Sequence, residues 1–294
     1  MSEYLDLSKG AIHWKDYGGS GPQLVMVHGL GGSLANWDVV GPELAKRFRV
    51  TALDLPGFGL SPPAGDWELT THRDAVIEFI ERVGGDVILM GNSMGGLISE
   101  MVAAHRPDLV RALVLVAPAT PPRLPDPLID WPMAWRLLIG STPGLGTAVN
   151  RWVLSSRSSR DLVEELLRRI THDPGRVPDW LVERFIALAE TRRHLPWSSG
   201  AVPKTGQSIR RLFQRPSRLV AMIRRIKAPT LVVQGAADPV ISPNSVAWLC
   251  YLRPDWELLQ MGDTGHTPQI DAPMRFLSVV EPWLEGHLKQ EIAV

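Results

Sequence analysis

Asp86-Val87-Ile88-Leu89-Met90-Gly91-Asn92-Ser93-Met94-Gly95-Gly96-Leu97-Ile98 is the stretch that decides the fold. It opens as a short apolar run rich in branched residues, the composition of a buried strand, and closes on residues that suit a helix. Between the two, Gly91-Asn92-Ser93-Met94-Gly95 must reverse the chain within a few residues. Strand, tight turn and helix in that order form the context in which G-x-S-x-G lifts a serine hydroxyl to the tip of a sharp bend. The requirement is steric. A strained backbone at Ser93 leaves its neighbours almost no room for side chains, so Gly91 and Gly95 supply space and Gly96 extends it. The start of the following helix turns free N–H groups and the positive end of its dipole toward the serine.

The same grammar runs outward in both directions. Residues 23–27 form a continuous apolar run of strand length, as expected for a strand buried on both faces, and 49–53, 112–117 and 229–234 read as further strands. Residues 257–261 read as one more short strand, and 3–7 and 11–17 as N-terminal strands. Helical spacing appears over 70–83, 245–252 and 273–289, the last with a bend at Pro282, and over 34–46 with an interruption at Gly41-Pro42. Strands alternating with helices predict an α/β fold whose central sheet is mostly parallel and flanked by helices. Reactive groups then gather at the carboxyl ends of the strands, in the loops after Val27, Leu53, Met90 and Val116.

Between 119 and 227 the texture changes. Buried strands give way to proline-rich turns and helical segments, the clearest at 160–170 and 180–191. This block reads as a helical cap inserted between the two parts of a core domain, 1–118 and 228–294. It holds 19 Lys/Arg against 9 Asp/Glu, and the remainder 12 against 22, although the whole chain of 294 residues is neutral. A hydrophobic share of 45% excludes wholesale disorder. The chain lacks an apolar run long enough to span a bilayer and a secretory-type N-terminus, so a cytoplasmic location is the default expectation. The single cysteine, Cys250, reads as a small core residue on a helix face.

Ser93 becomes a useful nucleophile only if a base takes its proton and a third group holds that base. Of eight histidines, His266 stands out, because it follows the last strand in a loop with Gly265. His28 also ends a strand, but Gly29 and Gly31 beside it suggest that it shapes a loop. Asp238, directly after the run 229–234, is the candidate orienting acid, with Asp263 as rival. The chain order Ser93, Asp238, His266 is the order associated with this type of elbow.

With these residues assembled, the chain resembles the α/β-hydrolase family. The resemblance rests on His28-Gly29, on Asp54-Leu55-Pro56-Gly57-Phe58-Gly59-Leu60-Ser61, on Gly91-Asn92-Ser93-Met94-Gly95-Gly96, on Asp238 and on Gly265-His266. It implies Ser93 as nucleophile, His266 as general base and then acid, Asp238 as its orienter, and an oxyanion hole at the backbone N–H groups of Leu30 and Met94. It also implies an acyl-enzyme, no cofactor and no metal, and structural roles for Asp54 and Asp271. Ser93 stands where relatives that open epoxides or displace halide carry Asp. The elbow spelling is similar to that of hydrolases that cleave carbon–carbon bonds in meta-cleavage-type diketo acids, but those usually place Trp where Thr267 stands. Cofactor-free peroxidases of the fold usually have an aromatic residue at the position of Leu30.

The simplest fit is a carboxylesterase or lipase-like serine hydrolase acting on small esters with apolar, short-to-medium acyl groups; the rival readings are the C–C hydrolase and a slow-turnover ligand-binding member. Gly29, Trp131 and Trp135 are assigned to substrate contact, although tryptophans in a cap also build its own small core. The basic cap suits weak association with an anionic lipid surface, an acidic carrier protein or a negatively charged ester; a solvated helical face accounts for the same charge. No nucleic-acid motif accompanies it.

Overall fold

The computed structural model describes residues 2–123 and 139–292, with side chains as far as 288. Eight strands form one sheet: β1 (Ser2–Leu7), β2 (Gly10–Gly18), β3 (Gln23–Val27), β4 (Arg49–Leu53), β5 (Val87–Asn92), β6 (Val110–Val116), β7 (Thr230–Gly235) and β8 (Glu257–Met261). Their spatial order is β1-β2-β4-β3-β5-β6-β7-β8. Only β1 and β2 run antiparallel to their neighbours; every pairing from β4 to β8 is parallel.

The continuous apolar runs are explained by layers on both faces. Along β5, Val87 and Leu89 point into one core, and Ile88 and Met90 into the other. β3 divides in the same way, Val25 and Val27 against Leu24 and Met26. Helices Leu69–Arg82, Met94–His105 and Pro243–Leu252 help cover the first face, while the C-terminal helix Pro273–Ile292 covers the second through Phe276, Leu277, Val280 and Leu284. Side chains alternate along a strand, so a strand covered on both sides has no polar face to show.

The expected helix over 34–46 needs correction. It divides into a 3-10 turn, Leu34–Trp37, and a single turn, Gly41–Leu44. Pro42 brings no N–H to a helical ladder, and Gly41 lies so close to the Tyr17 ring that a Cβ there would stand 2.8 Å from it. Between β6 and β7 the described residues contain no strand. They hold helices Leu145–Ser156, Ser159–Ile170, Asp179–Arg193, Ser198–Phe213 and Pro216–Ile223. Two of these five coincide with the expected segments at 160–170 and 180–191. Val163, Leu167, Val177 and Leu181 form a small core with Ile270, which follows β8. No described helix is long and apolar enough to cross a membrane.

Glu100, on the helix after the Ser93 turn, is 1% exposed, and its Oε1 has no hydrogen-bond partner among the described residues. Burial pushes its carboxyl up to about 8 from an ordinary value of 4.5. Below pH 4.5 the group is protonated folded or unfolded. As the pH rises toward 8 only the unfolded chain ionises, so stability drains across that window and then levels. Half-buried Cys250 feels the same environment, its thiol raised to about 12 by burial and then by Glu100. Melting followed from pH 4.5 to 8 should show the wild-type Tm falling, and Glu100→Gln should flatten that slope and raise Tm at pH 8.

Candidate active site

Ser93 sits between β5 and the helix Met94–His105 with φ +56° and ψ −120°, a conformation most residues avoid. Hydrogen bonds hold it there. Its N–H donates to Val116 O at 2.9 Å, and its carbonyl accepts from Leu97 and Ala119 at 3.1 and 2.9 Å. The flanking glycines are steric necessities. A Cβ on Gly95 would lie 2.3 Å from Val27 O and 2.5 Å from His28 O, and one on Gly91 would lie 2.4 Å from Gly95 O. The elbow helix therefore starts directly against the end of β3, and Gly29 passes so close that its Cβ would meet the Ser93 Cβ at 3.1 Å.

Asp238 and His266 meet by the same device. A Cβ on Gly235, at the end of β7, would lie 1.9 Å from Gly265 O, so the loops after β7 and β8 pack backbone to backbone. His266 Nδ1 lies 2.9 Å from Asp238 Oδ2. The carboxylate is buried and richly supplied with donors: Val240 and Ile241 N–H on Oδ1 at 2.7 and 2.9 Å, and Gln234 Nε2 on Oδ2 at 3.0 Å. Such donors make burial of the charged form affordable and fix the carboxylate plane. His266 pairs with Asp238 rather than with the rival Asp263, whose backbone carbonyl accepts from Arg176 Nη1 at 2.8 Å.

The histidine loop is tied to the elbow through Asn92, whose amide donates to Val116 O at 3.0 Å and to His266 O at 3.2 Å. The Ser93 hydroxyl has no hydrogen-bond partner among the described residues, so the structure pairs Asp238 with His266 but does not close a bond to Ser93 Oγ. Hydrogen bonds of this kind are often long in unliganded enzymes and tighten around substrate. The backbone N–H groups of Leu30 and Met94 likewise donate to no described acceptor. Trp131 and Trp135 lie outside the described residues.

His28 is fully buried, with Nδ1 2.7 Å from Gly29 O and Nε2 accepting the Leu55 N–H at 3.0 Å. Those contacts assign the proton to Nδ1, and burial lowers the affinity of the ring for a second one. The ring braces the loop that carries Leu30. Asp54 accepts the N–H groups of Leu34 and Leu60 and pairs with His13, joining β2, β4 and the turn at Leu34. Asp271 Oδ2 accepts two backbone N–H groups, Gly265 and His172, both at 2.7 Å.

Sequence reasoning missed Gln234, which steadies Asp238, and Arg192. The latter ends a helix of the inserted block and donates from Nη1 to Gly31 O at 2.8 Å, directly above the Leu30 loop. Gln234 could have been suspected as a polar residue closing a buried strand. Arg192 carried no local signal, because its partner is a backbone carbonyl 161 residues away.

A model of the alpha/beta hydrolase fold family matches residues 22–273. The chain belongs to that family. A pimeloyl-[acyl-carrier protein] methyl ester esterase from Nitrosomonas europaea is 29% identical over 266 residues, covering 88% of this chain and 94% of the relative. A 2-hydroxymuconate semialdehyde hydrolase from Pseudomonas sp. is 30% identical over 280 residues, covering 90% and 88%. Among solved structures, Cfl2 from Burkholderia cenocepacia superposes with a TM-score of 0.81 over 96% of this chain and 95% of its own, at 20% identity, which speaks to fold alone. The relatives place this α/β hydrolase among the hydrolases.

Gly95→Ala tests the steric account of the elbow. Its methyl would have to displace the backbone of β3, and the variant should lose about 1–3 kcal/mol or more in urea unfolding. Gly286→Ala, with open space inside the C-terminal helix, should instead gain about 0.5–1 kcal/mol by the same measure.

Proposed function

We propose that this chain is a cofactor-independent serine hydrolase that cleaves carboxylic esters with apolar, short-to-medium acyl groups. The observation that carries this reading is the Asp238–His266 hydrogen bond, formed through Nδ1 on a nearly buried ring. It leaves Nε2 as the free ring nitrogen, in a loop bonded to the residue before Ser93.

In this reading His266 Nε2 takes the proton from Ser93 Oγ as the oxygen attacks the acyl carbon. Charge develops on the former carbonyl oxygen, where the N–H groups of Leu30 and Met94 receive it. Both amides are fixed before reaction, Met94 by the strained turn and Leu30 by the His28 and Arg192 contacts, so little reorganisation accompanies the step. Asp238 holds the imidazole in the tautomer that presents Nε2 and stabilises the imidazolium. Collapse breaks the bond to the alcohol oxygen, which leaves with the proton from His266. Water, deprotonated by the same nitrogen, then attacks the Ser93 ester, and its collapse releases the acid and restores the serine. Only protons and one acyl group move, so the sequence of steps balances without a cofactor.

The esterase relatives support an ester as substrate. The 2-hydroxymuconate semialdehyde hydrolase supports a second reading, C–C bond cleavage, which this elbow could also serve. A series of p-nitrophenyl esters from acetate to laurate, run beside a vinylogous diketo acid, separates the two. Turnover of the shorter esters should fall about 10^4- to 10^6-fold in Ser93→Ala and about 10^3- to 10^4-fold in Asp238→Asn. A fluorophosphonate should label Ser93. Unchanged ester turnover in Ser93→Ala overturns the proposal, rapid cleavage of the diketo acid with esters untouched favours the second reading, and labelling without turnover of any substrate points to a binding protein.

A further inference from the structure

The positive charge of the inserted block is not evenly spread. Residues 119–190 hold nine Lys/Arg and nine Asp/Glu, whereas 191–227 hold ten Lys/Arg and no acid, and the next acid after Glu190 is Asp238. In the first part six of the eight described cations pair with acids, and Arg123 lies over the Trp248 ring. Arg157 and Arg169 pair with Glu165, Arg160 with Glu183, Arg168 with Glu164, Arg176 with Asp173 and Arg184 with Asp38. In the second part, Arg192 and Arg193 bond within the fold and Arg211 pairs with Glu68. Arg215, Arg218, Arg224, Arg225 and Lys227 are all exposed and pair with no acid among the described residues.

These five surround one helix, Pro216–Ile223, whose Leu219 and Ile223 are buried in the main core. The helix is therefore firmly seated and presents its charges from a fixed platform. Arg215 is its N-cap and Arg218 lies in its first turn, with no acidic residue there. Cations at the positive end of a helix dipole disfavour the helix, whereas Arg224 at the other end favours it, so an external anion would relieve Arg215 and Arg218 in particular. Among the described residues Arg253 is bonded to the helix end at Ile223 O and is itself paired with Asp255. Phe213 and Met222 pack against the main core, and half-buried Val220 lies among the cations.

We propose that the Arg215–Lys227 surface docks the protein on a bilayer rich in anionic phospholipid. The five charges are scattered over a helix and its flanks. Headgroups that diffuse laterally can gather around such a pattern, whereas a folded acidic protein would need matching fixed geometry. Each basic side chain near an anionic surface contributes about a fivefold gain in binding, and the gain fades as salt shortens the screening length from about 10 Å at 0.1 M. This docking is independent of the proposed ester chemistry, because it is read as binding.

The test is co-sedimentation with vesicles of phosphatidylcholine alone or mixed with phosphatidylglycerol, at low and high salt. The wild type should sediment with the mixed vesicles at low salt, remain in solution with pure phosphatidylcholine, and be released by 0.5 M salt. The quadruple variant Arg215→Gln, Arg218→Gln, Arg224→Gln, Arg225→Gln should bind about 100-fold or more weakly. Arg160→Gln with Arg168→Gln, which removes paired cations of the same block, should bind as the wild type does. Circular-dichroism melting reports whether each variant is folded, and a quadruple variant that unfolds is replaced by the single variants, each expected to lose about fivefold. Absence of wild-type sedimentation, equal binding to neutral vesicles, or binding indifferent to the substitutions overturns the proposal. So does retention by duplex DNA or an acidic protein without binding to vesicles.

Discussion

At the mouth of β5 two stretches of main chain touch with nothing between them, and the rest of the site depends on that contact. The elbow helix begins against the carbonyls of Val27 and His28, at distances that leave no space for even one carbon beyond Cα at Gly95. Two consequences follow from it. Ser93 is forced into a left-handed conformation, which turns it out of the sheet. The start of the helix is also brought beside the loop leaving β3, where Gly29 passes close to the Ser93 Cβ. Strain of this kind persists only where surrounding bonds over-determine it, and here Val116, Leu97 and Ala119 do so.

A second contact of the same kind, Gly235 against Gly265, repeats the principle at β7 and β8, beyond β6 in the sheet. Parallel strands end at the same edge, so their loops meet there, and glycine decides how closely. Asp238 and His266 come from loops after β7 and β8, Ser93 from the turn after β5, and Asn92 joins the groups through two carbonyls. The electrostatics are local. Asp238 receives three protein donors, while burial lowers the proton affinity of His28, whose two ring nitrogens are both bonded.

How much of this was legible in the chain depends on where the information lies. Strands buried on both faces announce themselves as unbroken apolar runs, and the glycines beside Ser93 disclose a turn whose chemistry is wholly local. The helices of the inserted block were harder. Ser198–Phe213 contains Gly200, Pro203 and Gly206, residues that argue against a helix, yet it forms because Ala201, Pro203 and Thr205 are buried by neighbours. Leu145–Ser156 hides in the same way behind Gly146, which accepts a close approach by Gly140. Tertiary burial overrode propensity in Ser198–Phe213. Arg192 was invisible for a related reason: its partner is a main-chain oxygen, which has no identity in a sequence.

Asp271 was read from the chain as structural, and its geometry makes it a seam. One of its oxygens receives the N–H groups of Gly265 and His172, while His266 N–H reaches Ile170 O at 2.7 Å. The helix Ser159–Ile170 is thus sewn at its end to the very loop that holds the imidazole. Two of these bonds, His172 N–H to Asp271 and His266 N–H to Ile170 O, cross that border, so a displacement of the helix end there would disturb the histidine loop as well.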